Sequence, residues 1–219
     1  KIKEIHVLNE KQKKPLIWNN ASQMGYILNN KIVKKELLKT IDNVTIFNSH
    51  VVNSLSDEFE RSLTLENGTV ISSNLVIAAD GSNSQLRKIS SIKFFQRQFN
   101  HSAITGYLEI KNRIDSIARQ AFLKEGPIGL LPINSSNNYL NYVWSVNNNF
   151  ANKIIEQPNC SSIISNKLNK FYAKHNLIFS PVQKESQKNL MKIYKWPLKL
   201  IYVPKPITER LILIGDAAH

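Results

Sequence analysis

The chain has 219 residues, 42% hydrophobic and 21% charged, which excludes an intrinsically disordered protein and suits one large domain or two small ones. Its formal net charge of +13 leaves nucleic acids and anionic membrane surfaces open as partners. A single cysteine, Cys160, excludes an intrachain disulfide; it begins a predicted helix, and we expect it to be a packing residue. No apolar run is long enough to span a bilayer, and Lys1–Glu10 lack the apolar core of a signal peptide.

The first ninety residues combine helical and strand patterns. Helical spacing of apolar residues predicts a helix over 31–41. Alternating or continuous apolar residues predict strands over 44–47, 61–65, 69–71 and 75–79. Asn67-Gly68 between two of these strands predicts a hairpin with a type I′ turn, because both residues tolerate a positive φ. The strand over 75–79 is continuously apolar, as is typical of a buried strand in a parallel sheet, and it ends at Asp80-Gly81.

The middle of the chain is rich in β-branched and aromatic residues, which sheets favour. The patterns predict strands over 106–110, 128–133 and 139–146, a helix over 161–174, a connecting segment marked by Pro197, Pro204 and Pro206, and a final buried strand over 211–214. Polar stretches such as Asn147–Asn149 indicate loops. The fold class is therefore mixed α/β (α+β), with nucleotide-domain-like pieces at both ends and a sheet-rich insertion between them.

Two segments have the pattern of a strand, a tight turn and a helix start. In the first, Gly81 permits close backbone approach, and Ser82 and Gln85 have the spacing of a capping box. Such a helix start would offer free N–H groups to a phosphate, and Arg87 could bind phosphate or brace Asp80. An ordinary strand-turn-helix corner with a surface arginine explains the same pattern.

The second segment runs from Arg210 to His219, and its strand ends in Gly215-Asp216. Asp216 could accept hydrogen bonds from ribose hydroxyls, and the amides that follow could face a pyrophosphate. Ala217 and Ala218 are small enough to let a ligand or another backbone approach. The alternative is that Asp216 only caps a helix.

In their order and separation, these segments resemble the Asp-Gly and Gly-Asp fingerprints of the FAD-dependent aromatic-ring monooxygenases, the para-hydroxybenzoate-hydroxylase-like family. The ubiquinone-biosynthesis branch of that family is the most similar, through four further stretches: Met24–Lys31, Glu125–Ile133, Val143–Ser145 and Trp196–Leu198. The resemblance implies a partial FAD-binding, Rossmann-like domain over 1–90, a substrate-binding sheet domain over 91–200, and a return to the FAD-binding domain over 201–219.

The resemblance also implies the roles of individual residues. The implied FAD and NAD(P)H contacts are Lys31, Lys34, Asp80, Gly81, Arg87, Gly215, Asp216, Ala217 and Ala218. Leu130, Leu131 and Pro132 would line the substrate face, although a plain core strand explains Leu130 or Leu131 equally well. No catalytic side chain and no metal is expected, since the cofactor supplies the oxidative chemistry and the five histidines form no ligand-spaced pair.

Three departures from the family pattern leave alternatives open. No Gly-x-Gly-x-x-Gly occurs, and the sequence stops at His219 before the family's Pro- and Gly-rich continuation. Lys31 stands where relatives usually have Arg, and Lys34 stands where they have Arg or Gln. Lysine lacks the planar groups of these side chains. We therefore expect an internal piece of a longer hydroxylase. An inactive or split-gene remnant and another flavin-dependent phenol hydroxylase are the alternatives.

The implied reaction uses O₂ and NAD(P)H to hydroxylate a phenolic ring, here a polyprenylated phenol of ubiquinone biosynthesis. The expected location is the cytoplasm, with peripheral contact to the inner membrane or to a biosynthetic complex as an extension. A nucleic-acid-binding module is suggested by charge alone, and the sequence lacks a zinc-finger spacing or a concentrated basic stripe. We therefore expect no nucleic-acid partner.

Overall fold

A computed structural model describes residues 1–11, 14–20, 22–111, 116–134, 138–183 and 191–219. The chain forms two compact units, each made of two separate stretches of sequence. Unit 1 comprises Lys1–Thr40 and Asn100–Leu198, and unit 2 comprises Ile41–Phe99 and Lys199–His219. Two long strands, β7 (Phe95–Ile110) and β12 (Tyr194–Tyr202), contribute residues to both units.

Unit 1 is built on a large mixed sheet. Its other strands are β1 (Glu4–Asn9), β2 (Leu16–Asn19), β8 (Ile117–Leu123), β9 (Gly126–Asn134), β10 (Tyr139–Asn147) and β11 (Phe179–Pro181). The strand order is β11-β7-β10-β9-β8-β1-β2, and β12 also pairs with β7. The helices of this unit are α1 (Asn30–Lys39), α3 (Asn148–Ile155) and α4 (Cys160–Phe171).

The core of unit 1 lies on one face of this sheet. Alternation along β10 places Tyr142 and Trp144 on that face, where both are fully buried with residues of α3 and α4 such as Ile164 and Leu168. Asn147 begins α3 by accepting the N–H of Asn149 through its side-chain oxygen, so this polar stretch is a helix cap.

Unit 2 contains two three-stranded sheets and one short helix. Its elements are β3 (Val51–Ser56), β4 (Arg61–Leu65), β5 (Val70–Ser73), β6 (Val76–Ala78), α2 (Gln85–Ile89), β13 (Ile207–Thr208) and β14 (Leu211–Leu213). The sheets have the orders β3-β4-β5 and β13-β14-β6. The buried Arg61 guanidinium links parts of the unit by donating to the Glu209 carbonyl and to the hydroxyls of Ser54 and Ser90.

Several predicted elements need correction. No strand forms over 44–47. The hairpin between β4 and β5 is present, but of its two turn residues only Gly68 has a positive φ, so the turn is not type I′. The proline-marked segment includes the strand β12, which accommodates Pro197. The strand β6 is buried on one face only, because Ile77 between Val76 and Ala78 is 58% exposed.

The predicted domain boundaries at residues 90 and 200 also differ from the structure. Residues 1–40 group with the large sheet, because β1 pairs in parallel with β8 and antiparallel with β2. Residues 91–99 and 199–200 group instead with unit 2. In the described ranges, no helix is long and apolar enough to cross a membrane.

Candidate cofactor site

The two fingerprint segments meet at one edge of the β13-β14-β6 sheet. β14 runs parallel to β6, with Leu213 opposite Ala78, and the Ile214 N–H extends the ladder by donating to the Ala78 carbonyl at 2.9 Å. Because parallel strands end at the same side of a sheet, Asp80-Gly81 and Gly215-Asp216 both leave it there. The predicted cofactor residues of unit 2 therefore share one edge.

The Asp80 side chain caps α2. Its Oδ2 accepts the N–H groups of Gln85 at 2.7 Å and Leu86 at 3.1 Å, and the Ser84 hydroxyl accepts the N–H of Arg87 at 3.0 Å. Ser84, not Ser82, is the N-cap residue, so the predicted capping box is not formed. The N–H groups expected to bind a phosphate are occupied, since Asp80 is itself the anion at this helix start.

Arg87 is an internal link and not a surface arginine. Its side chain is 1% exposed, and its guanidinium donates to the Ala217 carbonyl at 2.6 Å and the Ser82 carbonyl at 2.8 Å. The guanidinium also lies over the Phe94 ring, 4.4 Å from the centroid. The prediction that Arg87 binds phosphate or braces Asp80 does not fit this environment, because the side chain is buried and both of its terminal nitrogens donate to backbone carbonyls.

The Gly-Asp segment forms a single 3-10 turn over Gly215–Ala217. The N–H of Ala217 donates to the Ile214 carbonyl, and that of Ala218 to the Gly215 carbonyl, so these two amides are satisfied within the turn. Both alanines are buried, and they pack the turn against the protein. With these amides bonded within the turn, the role of the two alanines at a pyrophosphate stays a prediction.

Asp216 differs from Asp80 in its environment. The Asp216 side chain is exposed, and among the described residues no group donates a hydrogen bond to its carboxylate. It does not cap a helix, which was the alternative interpretation of this residue. A carboxylate of this kind can accept hydrogen bonds from vicinal hydroxyl groups of a ligand.

The glycines at this edge leave room for a ligand. Gly81 has a φ of +82° and Gly215 a φ of +55°, and no atom lies within 4 Å of the position that a Cβ would occupy at either residue. Both conformations favour glycine. The open backbone at Gly81 and Gly215, together with an Asp216 carboxylate that has no donor among the described residues, could hold the ribose of a nucleotide cofactor.

The remaining predicted site residues lie in unit 1. Lys31 and Lys34 are exposed on α1, whose N-cap Asn29 accepts the Lys31 N–H at 2.9 Å. In β9, Leu130 pairs with Tyr142 and is fully buried in the core, and Pro132 pairs with buried Leu140 on the same face.

Of the three predicted substrate residues, Leu131 alone points to the opposite face of the sheet, where it pairs with Asn141 and is half-buried. Leu130 therefore fits the alternative of a plain core strand. Alternation along a strand means that three consecutive residues cannot line one face.

Other reactive side chains have structural surroundings. Cys160 is a free, buried thiol whose pKa is raised by burial, which confirms its prediction as a packing residue. Burial also raises the pKa of Tyr142, and it raises the pKa of Tyr172 to about 12. Within the described ranges, no group of three or more His, Cys, Asp or Glu side chains could hold a metal ion.

Sequence reasoning missed two residues at this site. Ser84 is fully buried and caps α2, and Phe94 stacks on Arg87. A serine directly before a helical pattern is a cap signal that was available. Phe94 gave no local signal, because its contact with Arg87 depends on the tertiary fold.

No protein-family model matches the chain, whereas individual proteins do. The chain is 28% identical over 250 residues to a protein named ubiquinone biosynthesis monooxygenase COQ6, mitochondrial, of Dictyostelium discoideum, covering 92% of this chain and 49% of the relative. It is 24% identical over 200 residues to the ubiquinone hydroxylase UbiL of Rhodospirillum rubrum, covering 90% of this chain and 44% of the relative. It thus spans about half the length of the curated relatives that it matches.

The fold is shared with solved flavoprotein structures. The crystal structure of PqsL, described as a probable FAD-dependent monooxygenase from Pseudomonas aeruginosa, matches with a TM-score of 0.71 at 15% identity over 99% of this chain and 61% of PqsL. In sequence the chain is thus similar to proteins named as a monooxygenase and a hydroxylase of ubiquinone, and in fold it is similar to a probable FAD-dependent monooxygenase.

Proposed function

We propose that this chain is part of an FAD-dependent, NAD(P)H-using monooxygenase that hydroxylates a phenolic ring, and that the substrate is a polyprenylated phenol of ubiquinone biosynthesis. The observation that carries the proposal is the exposed Asp216 carboxylate at the edge where Gly81 and Gly215 open the backbone. The names of the relatives, a ubiquinone biosynthesis monooxygenase and a ubiquinone hydroxylase, support the substrate class.

In this proposal the cofactor, when bound, supplies the activation of O₂, and the protein supplies binding and orientation. The Asp216 carboxylate accepts hydrogen bonds from ribose hydroxyls, while Gly81 and Gly215 let the cofactor approach the backbone. Arg87 acts indirectly, because its bonds to the Ser82 and Ala217 carbonyls fix the two loops to each other. Of the three predicted substrate residues, only Leu131 lies on the face of the sheet opposite the core, and in this proposal it contacts the substrate there.

We further propose a cytoplasmic location with peripheral contact to the inner membrane or to a biosynthetic complex. A polyprenyl tail partitions into a bilayer, so an enzyme acting on such a substrate gains from lying at its surface. The net charge of +13 supports contact with an anionic leaflet. NAD(P)H as reductant and O₂ as co-substrate belong to the same proposal.

The test compares FAD binding by the purified protein and by two matched variants. Asp216→Ala removes the proposed ribose contact, and Asp42→Ala removes another exposed carboxylate of the same unit. Loss of hydrogen bonds to a charged group corresponds to about a 10- to 100-fold rise in the dissociation constant for Asp216→Ala. We expect Asp42→Ala to bind as the parent does, and we expect both variants to melt within a few degrees of it, since the Asp216 carboxylate has no partner among the described residues.

Flavin fluorescence quenching gives the dissociation constants of FAD. Hydroxylation is measured by mass spectrometry, after a prenylated phenol has been incubated with the protein, NADH or NADPH, and O₂. A protein that binds no FAD would favour the remnant interpretation. Equal FAD affinity in the parent and Asp216→Ala would remove Asp216 from the site. Hydroxylation of a phenol without a prenyl tail, with no turnover of the prenylated one, would favour another phenol hydroxylase.

A further inference from the structure

The net positive charge of the chain comes entirely from one of its two units. Unit 1 contains 21 Lys and Arg against 8 Asp and Glu, a net charge of +13, whereas unit 2 contains 8 of each and is neutral. The partition indicates that unit 1 carries a surface for an anionic partner.

Unit 1 also exposes an apolar edge strand. β2 pairs with β1 alone, and its side chains Leu16, Ile17 and Trp18 are 53%, 47% and 50% exposed. Leu16 and Trp18 lie on one face of the strand and Ile17 lies on the other, so β2 forms an apolar ridge along the edge of the sheet. An exposed ridge of large apolar side chains marks an interaction site.

Basic and aromatic residues extend this ridge at one end. The ladder aligns Leu16 with Val7 on β1, and Phe122 of β8, which is 47% exposed, lies opposite Asn9 on the same face. The turn after β8 contacts the turn after β1, because the Lys124 N–H donates to a Glu10 carboxylate oxygen at 3.2 Å. Three exposed lysines lie in the connections that follow β1 and β8, where the Glu10 carboxylate also lies. We define the edge patch as Lys11, Lys14, Leu16, Trp18, Phe122 and Lys124.

The chemistry of the edge patch favours lipid over the other anionic partners. Leu16 and Ile17 are aliphatic, and they would gain nothing from a phosphate backbone, whereas a bilayer accepts them below its headgroups. Trp18 and Phe122 are of the aromatic type that is enriched at membrane interfaces, and lysine side chains reach from an apolar surface to charged headgroups. A four-residue strand also offers little length for pairing with a second chain.

We propose that the edge patch docks on an anionic lipid bilayer, with Leu16 and Trp18 entering the headgroup region and the lysines binding lipid phosphates. This inference deepens the peripheral membrane contact proposed above by assigning it to a surface. It does not depend on the flavin chemistry, because vesicle binding is measured without cofactor or substrate.

The experiment measures co-sedimentation of the purified protein with phosphatidylcholine vesicles, with and without about 30% phosphatidylglycerol, at about 0.1 and 0.5 M salt. We expect binding to the anionic vesicles at low salt only. Changing Lys11, Lys14 and Lys124 together to Gln removes three surface charges at the patch and should weaken partitioning by about 100-fold.

The matched control changes Lys153, Lys170 and Lys174 to Gln, because these lysines are exposed on or just after the helices that cover the core face of the same sheet. We expect this triple variant to lose at most about fivefold in partitioning, since its lysines lie away from the patch. Equal losses in the two triple variants would overturn the proposal, because they would show that net charge alone drives binding.

Tryptophan emission tests the orientation. Trp144 is buried and Trp196 is 61% exposed, so in a Trp196→Phe protein we assign a vesicle-dependent change in emission to Trp18. We expect its emission to shift to the blue on anionic vesicles, and the shift to vanish with Trp18→Phe. No shift would overturn the proposed insertion of Trp18.

Two further outcomes would each replace the proposal. A Trp18-dependent complex with single-stranded oligonucleotide in place of vesicles would assign the patch to nucleic acid, and Leu16-dependent dimers would assign it to a second copy of the chain. Hydroxylation of a short-tailed, water-soluble phenol needs no docking on a membrane. We therefore expect the variants of the edge patch to keep this reaction, which distinguishes failure of the docking proposal from failure of the proposed activity.

Discussion

Replacing Arg87 tests whether this residue holds the two fingerprint loops together. Arg87→Met keeps most of the side-chain volume and removes the guanidinium, which donates to the Ser82 and Ala217 carbonyls and lies over Phe94. Ser82 and Ala217 are 135 residues apart in sequence, so no local contact can replace this link. Arg87→Lys keeps the charge and loses the planar fork that reaches both carbonyls.

The expected cost follows from the burial of the group. A buried carbonyl that loses its donor costs about 1 to 3 kcal/mol, and loss of the contact with the ring adds about 0.5 to 2 kcal/mol. Among the described residues the buried Arg87 Nε has no hydrogen-bond partner, so removing this atom offsets part of the cost. We therefore expect Arg87→Met to lower the free energy of unfolding by about 3 kcal/mol, and Arg87→Lys by about half as much.

Urea unfolding followed by far-UV circular dichroism measures this loss. Tryptophan emission follows unit 1 alone, because Trp18, Trp144 and Trp196 all belong to it. Hydrogen exchange of peptides covering 76–89 and 211–219 should accelerate in the Arg87 variants.

The control is Arg97→Met, since Arg97 is exposed over Phe99 and should cost less than about 0.5 kcal/mol. The proposed link would be refuted if Arg87→Met cost no more than this control, or if exchange accelerated in only one of the two peptides.

Two predictions concern unit 1. Burial raises the pKa of Tyr172 from 10.0 to about 12, so the contribution of this residue to stability is complete below pH 10 and is lost as the pH rises through 12. We expect the free energy of unfolding to fall by roughly 2 to 3 kcal/mol over this range, and we expect Tyr172→Phe to remove that fall. An unchanged pH profile in the variant would contradict the assignment. Gly126→Ala should lower the free energy of unfolding by about 3 kcal/mol or more, because the new Cβ would clash with the Ser145 carbonyl. Gly68 also has a positive φ but faces open space, so Gly68→Ala should cost about 1 kcal/mol. Similar costs in thermal unfolding would show that the backbone yields at Gly126.

Local sequence patterns predicted the elements whose partners are near in sequence. The helix α1, the hairpin of β4 and β5, and the strand β10 follow from apolar periodicity and turn residues. The strand β1 did not, because its parallel partner β8 lies more than a hundred residues away and the apolar residues of β1 are few. Pro197 hid β12 in the same way, since proline usually interrupts a strand and only tertiary pairing with β7 compensates for it.

The candidate site was predictable to the extent that it depends on strand ends. An apolar strand followed by Asp-Gly or Gly-Asp located Asp80, Gly81 and Asp216, and parallel pairing brought them to one edge. The role of Arg87 was not predictable, because its partners are backbone carbonyls, which leave no trace in the sequence. An arginine near a presumed phosphate site predicts a phosphate contact, and only the structure shows that Arg87 is buried and that both of its terminal nitrogens donate to backbone carbonyls.

The distribution of charge separates two kinds of recognition in this chain. Unit 2 is neutral, Arg87 is committed to internal carbonyls, and Lys199 donates to the Asn83 side chain in the loop that follows Gly81. The candidate cofactor edge therefore depends on directed hydrogen bonds, above all those that Asp216 can accept, and such bonds are little affected by salt. The proposed edge patch of unit 1 would depend on exposed lysines beside an apolar ridge, and salt screens interactions of that kind within about 10 Å. Under the two proposals, salt would change cofactor binding little, whereas the proposed attachment to a membrane would weaken as the ionic strength rises.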